Sequence, residues 1–224
     1  MVKLVAQALK QGWANRILNE KQLDRLLSGS AASRYGLVNR ALAAGELHSV
    51  RRGLYVLDAQ YRDHAVHPFA LAQAILPGSY ISFETALAYH GWIPEAVKVI
   101  VSVTLAPKAK HYHSLKFGDF HYAPLAVHTT EFLQWVERHQ VDQQTFLLAH
   151  PLRALLDLVC ERKMVWQGIS GLTENLRIDE SHFAGITAND FHLLRGIYKY
   201  KRMQHFIRQF AKAYGYDQIN STTA

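Results

Sequence analysis

The sequence predicts an α+β protein in two parts, a winged helix-turn-helix over residues 1–62 and a mixed α/β domain over 63–224. Three observations carry this. Apolar residues recur at helical spacing through the first 45 residues, a glycine reversal bearing two arginines follows at 51–53, and β-branched runs separate helical stretches beyond residue 78.

Residues 2–11 read as a first helix, with 13–18 as a candidate continuation. In "NEKQLDRLL", Asn19 is a helix-capping residue and Gln22 stands three positions on, the spacing of a capping box. Leu23, Leu26 and Leu27 give this helix one apolar face. "SGS" turns the chain into "AASRYGLVNRALAAG", where Ser30 can cap the start and Gly45 suits a left-handed stop. Tyr35, Val38 and Leu42 recur at spacings of three and four and are expected to face the core. Ser33, Arg34, Leu37 and Arg40 then lie largely elsewhere, with Asn39 near the boundary.

"GELHSVRRGLYVLD" comes next. An unpaired charge is costly to bury, so Arg51 and Arg52 belong at the tip of a hairpin rather than inside a sheet. Gly53 supplies the positive φ of a tight reversal, between short strands at Leu47–Val50 and Leu54–Leu57. Short helix, turn, longer helix and hairpin follow one another as in a winged helix-turn-helix. The longer helix would enter the major groove by its first turns, and the hairpin would lie over phosphates or the adjacent minor groove. The candidate DNA-binding residues are therefore Ser30, Ser33, Arg34, Asn39, Arg40, Arg51 and Arg52. Ser30 and Ser33 would position the helix, Arg34 and Arg40 would meet the groove, and Arg51 and Arg52 would anchor the hairpin.

The polar stretch 58–68, "DAQYRDHAVHP", reads as a linker. Beyond it "FALAQAIL" reads as helix, Pro77-Gly78 as a turn, and "SFETALAYHG" as a helix capped by Ser82 and stopped at Gly91. "VKVIVSVTLA" and "HSLKFGDFHYAPL" have strand character. From 129 onward the chain reads as mostly helical, including "PLRALLDLVCERK" and a basic terminal helix, "LLRGIYKYKRMQHFIRQFAKAY"; the tail "INSTTA" reads as frayed.

Charge distribution favours a polyanionic partner. The net charge is +7, and residues 1–60 hold nine Lys/Arg against four Asp/Glu. The middle, 61–150, holds six against seven, and 151–224 holds ten against seven. Basic ends around a near-neutral middle suit two polyanion-facing surfaces. No run approaches the ~18 apolar residues of a membrane span. The N-terminus lacks the long apolar core of a secretory signal. Cys160 is the only cysteine, which excludes an intrachain disulfide and a cysteine-rich zinc site. A cytoplasmic protein without membrane association is expected.

Catalytic patterns are sparse. His111 and His113 would share a strand face with His121 nearby, but they have no Cys partner and no HExxH, so no metal is expected. Asp157 with "ERK" at 161–163 contains the E-x-K triplet of Mg²⁺ nucleases, with Glu161 as the residue to test. Asp157, however, falls on the same predicted helix among leucines and reads as a structural residue that pairs with Arg153 or with the neighbours of Glu161. No nucleophile triad, phosphate-cradling glycine loop or nucleotidyltransferase pattern occurs, so neither an enzyme nor a cofactor is expected. Residues 191–212 interleave six Lys/Arg with Phe191, Tyr198, Tyr200, Phe206 and Phe210. They form either an amphipathic helix with its aromatics inward or a second nucleic-acid surface.

Three stretches resemble the AbiEi family, the antitoxin and transcriptional repressor half of bacterial AbiE-type abortive-infection toxin–antitoxin pairs. "ALAAGELHSVRRGLYVLD" is similar to the family's helix end, wing and G-x-Y strand, and "LPGSYISFETALAYHGW" to the opening of its second domain. "LLAHPLRALLDLV" is similar to its A-x-P-x-(K/R)-A-L-x-D helix, although Leu152-Arg153 stands where many relatives carry Glu-Lys. The resemblance spans residues ~15–160 in order and spacing. It implies an N-terminal domain that represses its own operon by binding inverted repeats in double-stranded operator DNA. It also implies an antitoxin-like C-terminal domain that counteracts a nucleotidyltransferase-like toxin. The residues alone leave open an RNA-binding protein without operator specificity, or a Mg²⁺-dependent nuclease.

Overall fold

The computed structural model describes residues 1–216 as a mixed α+β protein; the tail "INSTTA" lies outside the described residues. The chain forms two compact units. The first comprises Met1–Pro77 with Tyr112–Asp119 and Gln140–Thr145; the second comprises Gly78–His111, Phe120–His139 and Phe146 onward.

In the first unit the order is α1 (Lys3–Lys10), β1 (Leu18–Asn19), α2 (Glu20–Leu26), α3 (Ala31–Ala43), β2 (Leu47–Arg51), β3 (Leu54–Leu57) and α4 (Pro68–Ile75). Residues 13–18 do not continue the first helix. Gly12 takes φ +66°, the Trp13 amide closes on the Ala8 carbonyl, and Leu18-Asn19 instead pairs antiparallel with Leu54-Tyr55. That pairing sets a three-stranded sheet in the order β1-β3-β2, with β2 on an edge.

Local chemistry explains the helix ends. Asn19 Oδ1 accepts from the Gln22 amide at 3.0 Å while Gln22 Oε1 accepts from the Asn19 amide at 2.8 Å, a complete capping box for α2. Ser30 Oγ accepts from the Ser33 amide at the start of α3. At its end Gly45 takes φ +70°, and the Glu46 and Gly45 amides bond the Ala41 and Leu42 carbonyls, a Schellman closure. Leu4, Val5, Leu18, Leu23, Leu26, Leu37, Val38, Ala41, Leu47 and Leu57 form the core.

The buried face of α3 is rotated from the expected one. Leu37, Val38 and Ala41 are buried, Leu42 packs only partly against the core, and Tyr35 is 68 % exposed. The compact unit also runs past the expected boundary at residue 62. The stretch 58–68 is tied down rather than loose: Arg62 donates to the Leu57 and His64 carbonyls, Asn15 and Asp63 bond each other, and Gln144 holds the backbone at Ala65 and His67. Phe69, Leu71, Ala72 and Ile75 then bury α4.

The remaining elements are β4 (Tyr80–Ile81), α5 (Phe83–Tyr89), β5 (Val99–Thr104), β6 (Lys110–Ser114), β7 (Gly118–Pro124), β8 (Val136–Val141), β9 (Gln144–Ala149), α6 (Pro151–Glu161), α7 (Ser170–Leu176), α8 (Ala188–Arg195) and α9 (Lys201–Ala213). The strands form one sheet in the order β6-β7-β5-β4-β9-β8, in which β4 runs antiparallel to β5 and parallel to β9. Two expectations fail here. Residues 136–149 form a hairpin, not helix, because the chain reverses at Asp142-Gln143, both with positive φ. The single basic terminal helix is two, since Val127 bridges Tyr198 and draws 196–200 out of helical geometry.

Candidate nucleic-acid interface

Helix α3 with its capping residue Ser30 and the β2–β3 hairpin hold all seven candidate residues in the first unit. Ser30 serves its capping role, and Ser33, Asn39 and Arg40 are exposed on α3. Arg34 is engaged within the unit: its Nε meets Asp24 Oδ1 at 2.7 Å and its Nη1 donates to the Gly29 carbonyl at 2.6 Å. The guanidinium thus braces α3 against α2 and the turn between them. Beside it a groove of about 320 Å³ is lined by Glu20, Leu23, Asp24, Ala31, Arg34, Tyr35, Val38 and Tyr55. Its acidic side chains would repel a phosphate, whereas Arg40 and Arg52 stand exposed.

At the hairpin tip Gly53 takes φ +76° and its α-carbon faces Glu20; an added Cβ would stand 2.8 Å from Glu20 Oε1. The register slips between Ser49 and Arg51, a bulge that sharpens the twist at the tip. Arg52 is exposed, whereas Arg51 is half-buried. Arg51 donates from Nη1 to the Arg52 carbonyl at 3.1 Å, and its guanidinium carbon lies 6.0 Å from the Tyr112 ring centroid. Arg51 Nε is buried and has no hydrogen-bond partner among the described residues.

Sequence reasoning missed the neighbours of β2. Asp58 Oδ2 meets His48 Nε2 at 2.6 Å and Lys116 Nζ at 3.4 Å. The His48 imidazole, followed by the Gln60 amide, holds the Asp58 carboxyl well below the usual carboxylate range. Lys116 is 58 residues from Asp58 in the chain, so nothing local in the sequence announces the pair.

A scan against protein-family models finds no match, and a search of curated proteins finds none either. The assignment of chemistry therefore rests on the residues.

In the second unit, the carboxylate considered for metal chemistry is fully engaged. Asp157 Oδ1 accepts from Arg153 Nε at 2.9 Å and the Tyr198 hydroxyl at 2.8 Å; Oδ2 accepts from the Tyr80 hydroxyl at 2.9 Å and Ser82 Oγ at 2.7 Å. All five side chains are inaccessible to solvent. Burial opposes the Arg153 charge, but Asp157 and then the tyrosines outweigh it and hold the guanidinium protonated well beyond its ordinary range. Ser82 occupies the cap position of α5 without capping it, because its hydroxyl serves Asp157. The next residue, Phe83, takes φ +55° with its ring buried, so packing compensates a strained backbone.

His111 and His121 stack at 4.0 Å, and burial followed by the His111 charge lowers the His121 pKa. Among the described residues no three His, Cys, Asp or Glu side chains gather as metal ligands. No described helix is long and apolar enough to cross a membrane. In the terminal stretch, Phe191, Tyr198, Phe206 and Phe210 are buried while Tyr200 is half-exposed, so four of the five rings serve the core. Lys199, Lys201, Arg208 and Lys212 remain on the surface.

Proposed function

We propose that this chain is a DNA-binding transcriptional repressor whose first unit is a winged helix-turn-helix. It would act in the cytoplasm, bind inverted repeats in its own operon's promoter, and take no cofactor. The observation that carries the reading is the combination of α3, with Ser33, Asn39 and Arg40 on its open surface, and a bulged hairpin that presents Arg52 at its tip. The helix–strand–helix–helix–strand–strand order and the β1-β3-β2 sheet suit that module. Arg40 would meet the groove, Arg51 and Arg52 would meet phosphates, and Arg34, through Asp24, would fix the pitch of α3. An Arg34 contact with a base would use the guanidinium nitrogen left over from its two internal partners.

The antitoxin role against a nucleotidyltransferase-like toxin rests on the AbiEi-like stretches. In this reading the chain catalyses no reaction. The occupied Asp157 oxygens speak against the Mg²⁺-nuclease alternative, since a metal would have to displace four hydrogen bonds in a site without solvent.

A reporter driven by the DNA upstream of this gene tests the reading. Expression of the intact chain represses it, and the Arg51→Ala, Arg52→Ala chain does not. Equal reporter output with and without the protein would reject the repressor assignment. Equal affinity for RNA and operator would favour the RNA-binding alternative.

A further inference from the structure

The strongest unassigned feature is a polar groove of about 350 Å³ on the outer side of the edge strand β2. It is lined by His48, Ser49, Val50 and Arg51 and, from the tip of the β6–β7 hairpin, by His113, Ser114, Leu115 and Lys116. The tip belongs to the first compact unit. Resting on the DNA-binding reading, we propose that this tip is a second backbone-contacting arm. Lys116 binds a phosphate of the same duplex that Arg51 and Arg52 hold, and Leu115 packs on the adjoining sugar edge.

Four observations support the assignment. Lys116 is 45 % exposed and meets Asp58 Oδ2 at a long 3.4 Å, so its ammonium is oriented without being consumed. The shorter His48 contact already supplies Asp58 with a partner, which leaves Lys116 free to turn to a phosphate. Arg51 reaches toward the tip from the other wall, over Tyr112, with one buried donor unmet. Leu115 is 99 % exposed at the turn, where an apolar residue gains nothing from the folded chain. Wedge residues at β-ribbon tips do bury against nucleic acid. Asp119 Oδ1 is engaged by His113 Nδ1 at 2.6 Å.

The experiment is a salt titration of binding to the upstream duplex, run for the intact chain and for Lys116→Ala, Lys116→Arg and Leu115→Ser, with thermal melts confirming folding. Removing one phosphate contact makes the log–log salt slope shallower by ~0.9 and weakens binding about eightfold at 0.1 M salt. Lys116→Arg restores the slope, and Leu115→Ser weakens binding several-fold at unchanged slope. If Lys116→Ala and Leu115→Ser both bind as the intact chain does, the second arm is rejected while the repressor reading stands. If the intact chain itself shows no binding to this DNA, both fall together.

Discussion

Arg153 and Asp157 stand one helical turn apart on α6 and meet through Nε and Oδ1 at 2.9 Å, with neither side chain reaching solvent. Removing one charge from such a pair leaves the other buried and uncompensated. Asp157→Asn keeps the shape but strands the Arg153 guanidinium, and is expected to cost about 3–5 kcal/mol. Urea unfolding measures it; a loss under about 1 kcal/mol, the scale of an exposed pair, would refute the network's structural weight.

The hairpin tip depends on a residue without a side chain. Gly53→Ala forces an L residue to φ +76° and brings a Cβ against the Glu20 carboxylate, whose flexible end can yield. The strain leaves a cost of about 1–2 kcal/mol. Thermal or urea unfolding of Gly53→Ala should show it, and an unchanged midpoint would contradict the turn geometry.

Acid sensitivity follows from the histidines of the second unit. Burial is the leading cause that lowers His90 and His150 from their ordinary value of 6.5. A base with a depressed folded pKa binds fewer protons folded than unfolded. Stability is therefore full above the unfolded value of 6.5 and declines as pH falls through the window between that value and the lower folded one. Midpoints recorded from pH 7 to pH 5 should fall, before the carboxylates lowered by hydrogen bonding begin to protonate. His90→Gln should flatten part of that decline, and a flat profile in the unaltered protein would contradict it.

Arg34 offers a test of bracing against reading. Asp24→Ala removes the partner of its Nε and retains the hydrogen bond to the Gly29 carbonyl. As an exposed pair it is expected to contribute at most about 1 kcal/mol to stability. Operator affinity should nevertheless change, because the pitch of α3 changes with it. Unaltered affinity in matched salt would remove the bracing role.

The sequence was legible where local chemistry decides structure. Asn19 with Gln22, Ser30 and Gly45 mark helix ends by bonds three to five residues long, and the structure makes those bonds. It was opaque where distant pairing decides. Leu18, at the end of the candidate helix 13–18, is drawn into a strand by pairing with Tyr55. The 136–149 hairpin reverses at Asp142-Gln143, positions of positive φ that usually announce themselves with Asn-Gly, and its first strand, "VERHQV", is too polar to read as a strand. Tyr35 fits the helical period as well as Leu37 does, and only packing against α1 and β2 chooses between them. Of the candidate site, the arginines were legible, but their surroundings were not. Asp24 claims Arg34 and Tyr112 lies under Arg51, and neither relation leaves a trace in spacing.

The measurement that bears most directly on the account is salt-titrated binding to the DNA immediately upstream of this gene, against scrambled DNA of equal length. The account predicts a preference of about 10³-fold or more. It also predicts a steep salt slope that Arg51→Ala with Arg52→Ala makes shallower by about 1.8. Equal affinity for both duplexes, with a slope indifferent to the two arginines, would contradict it.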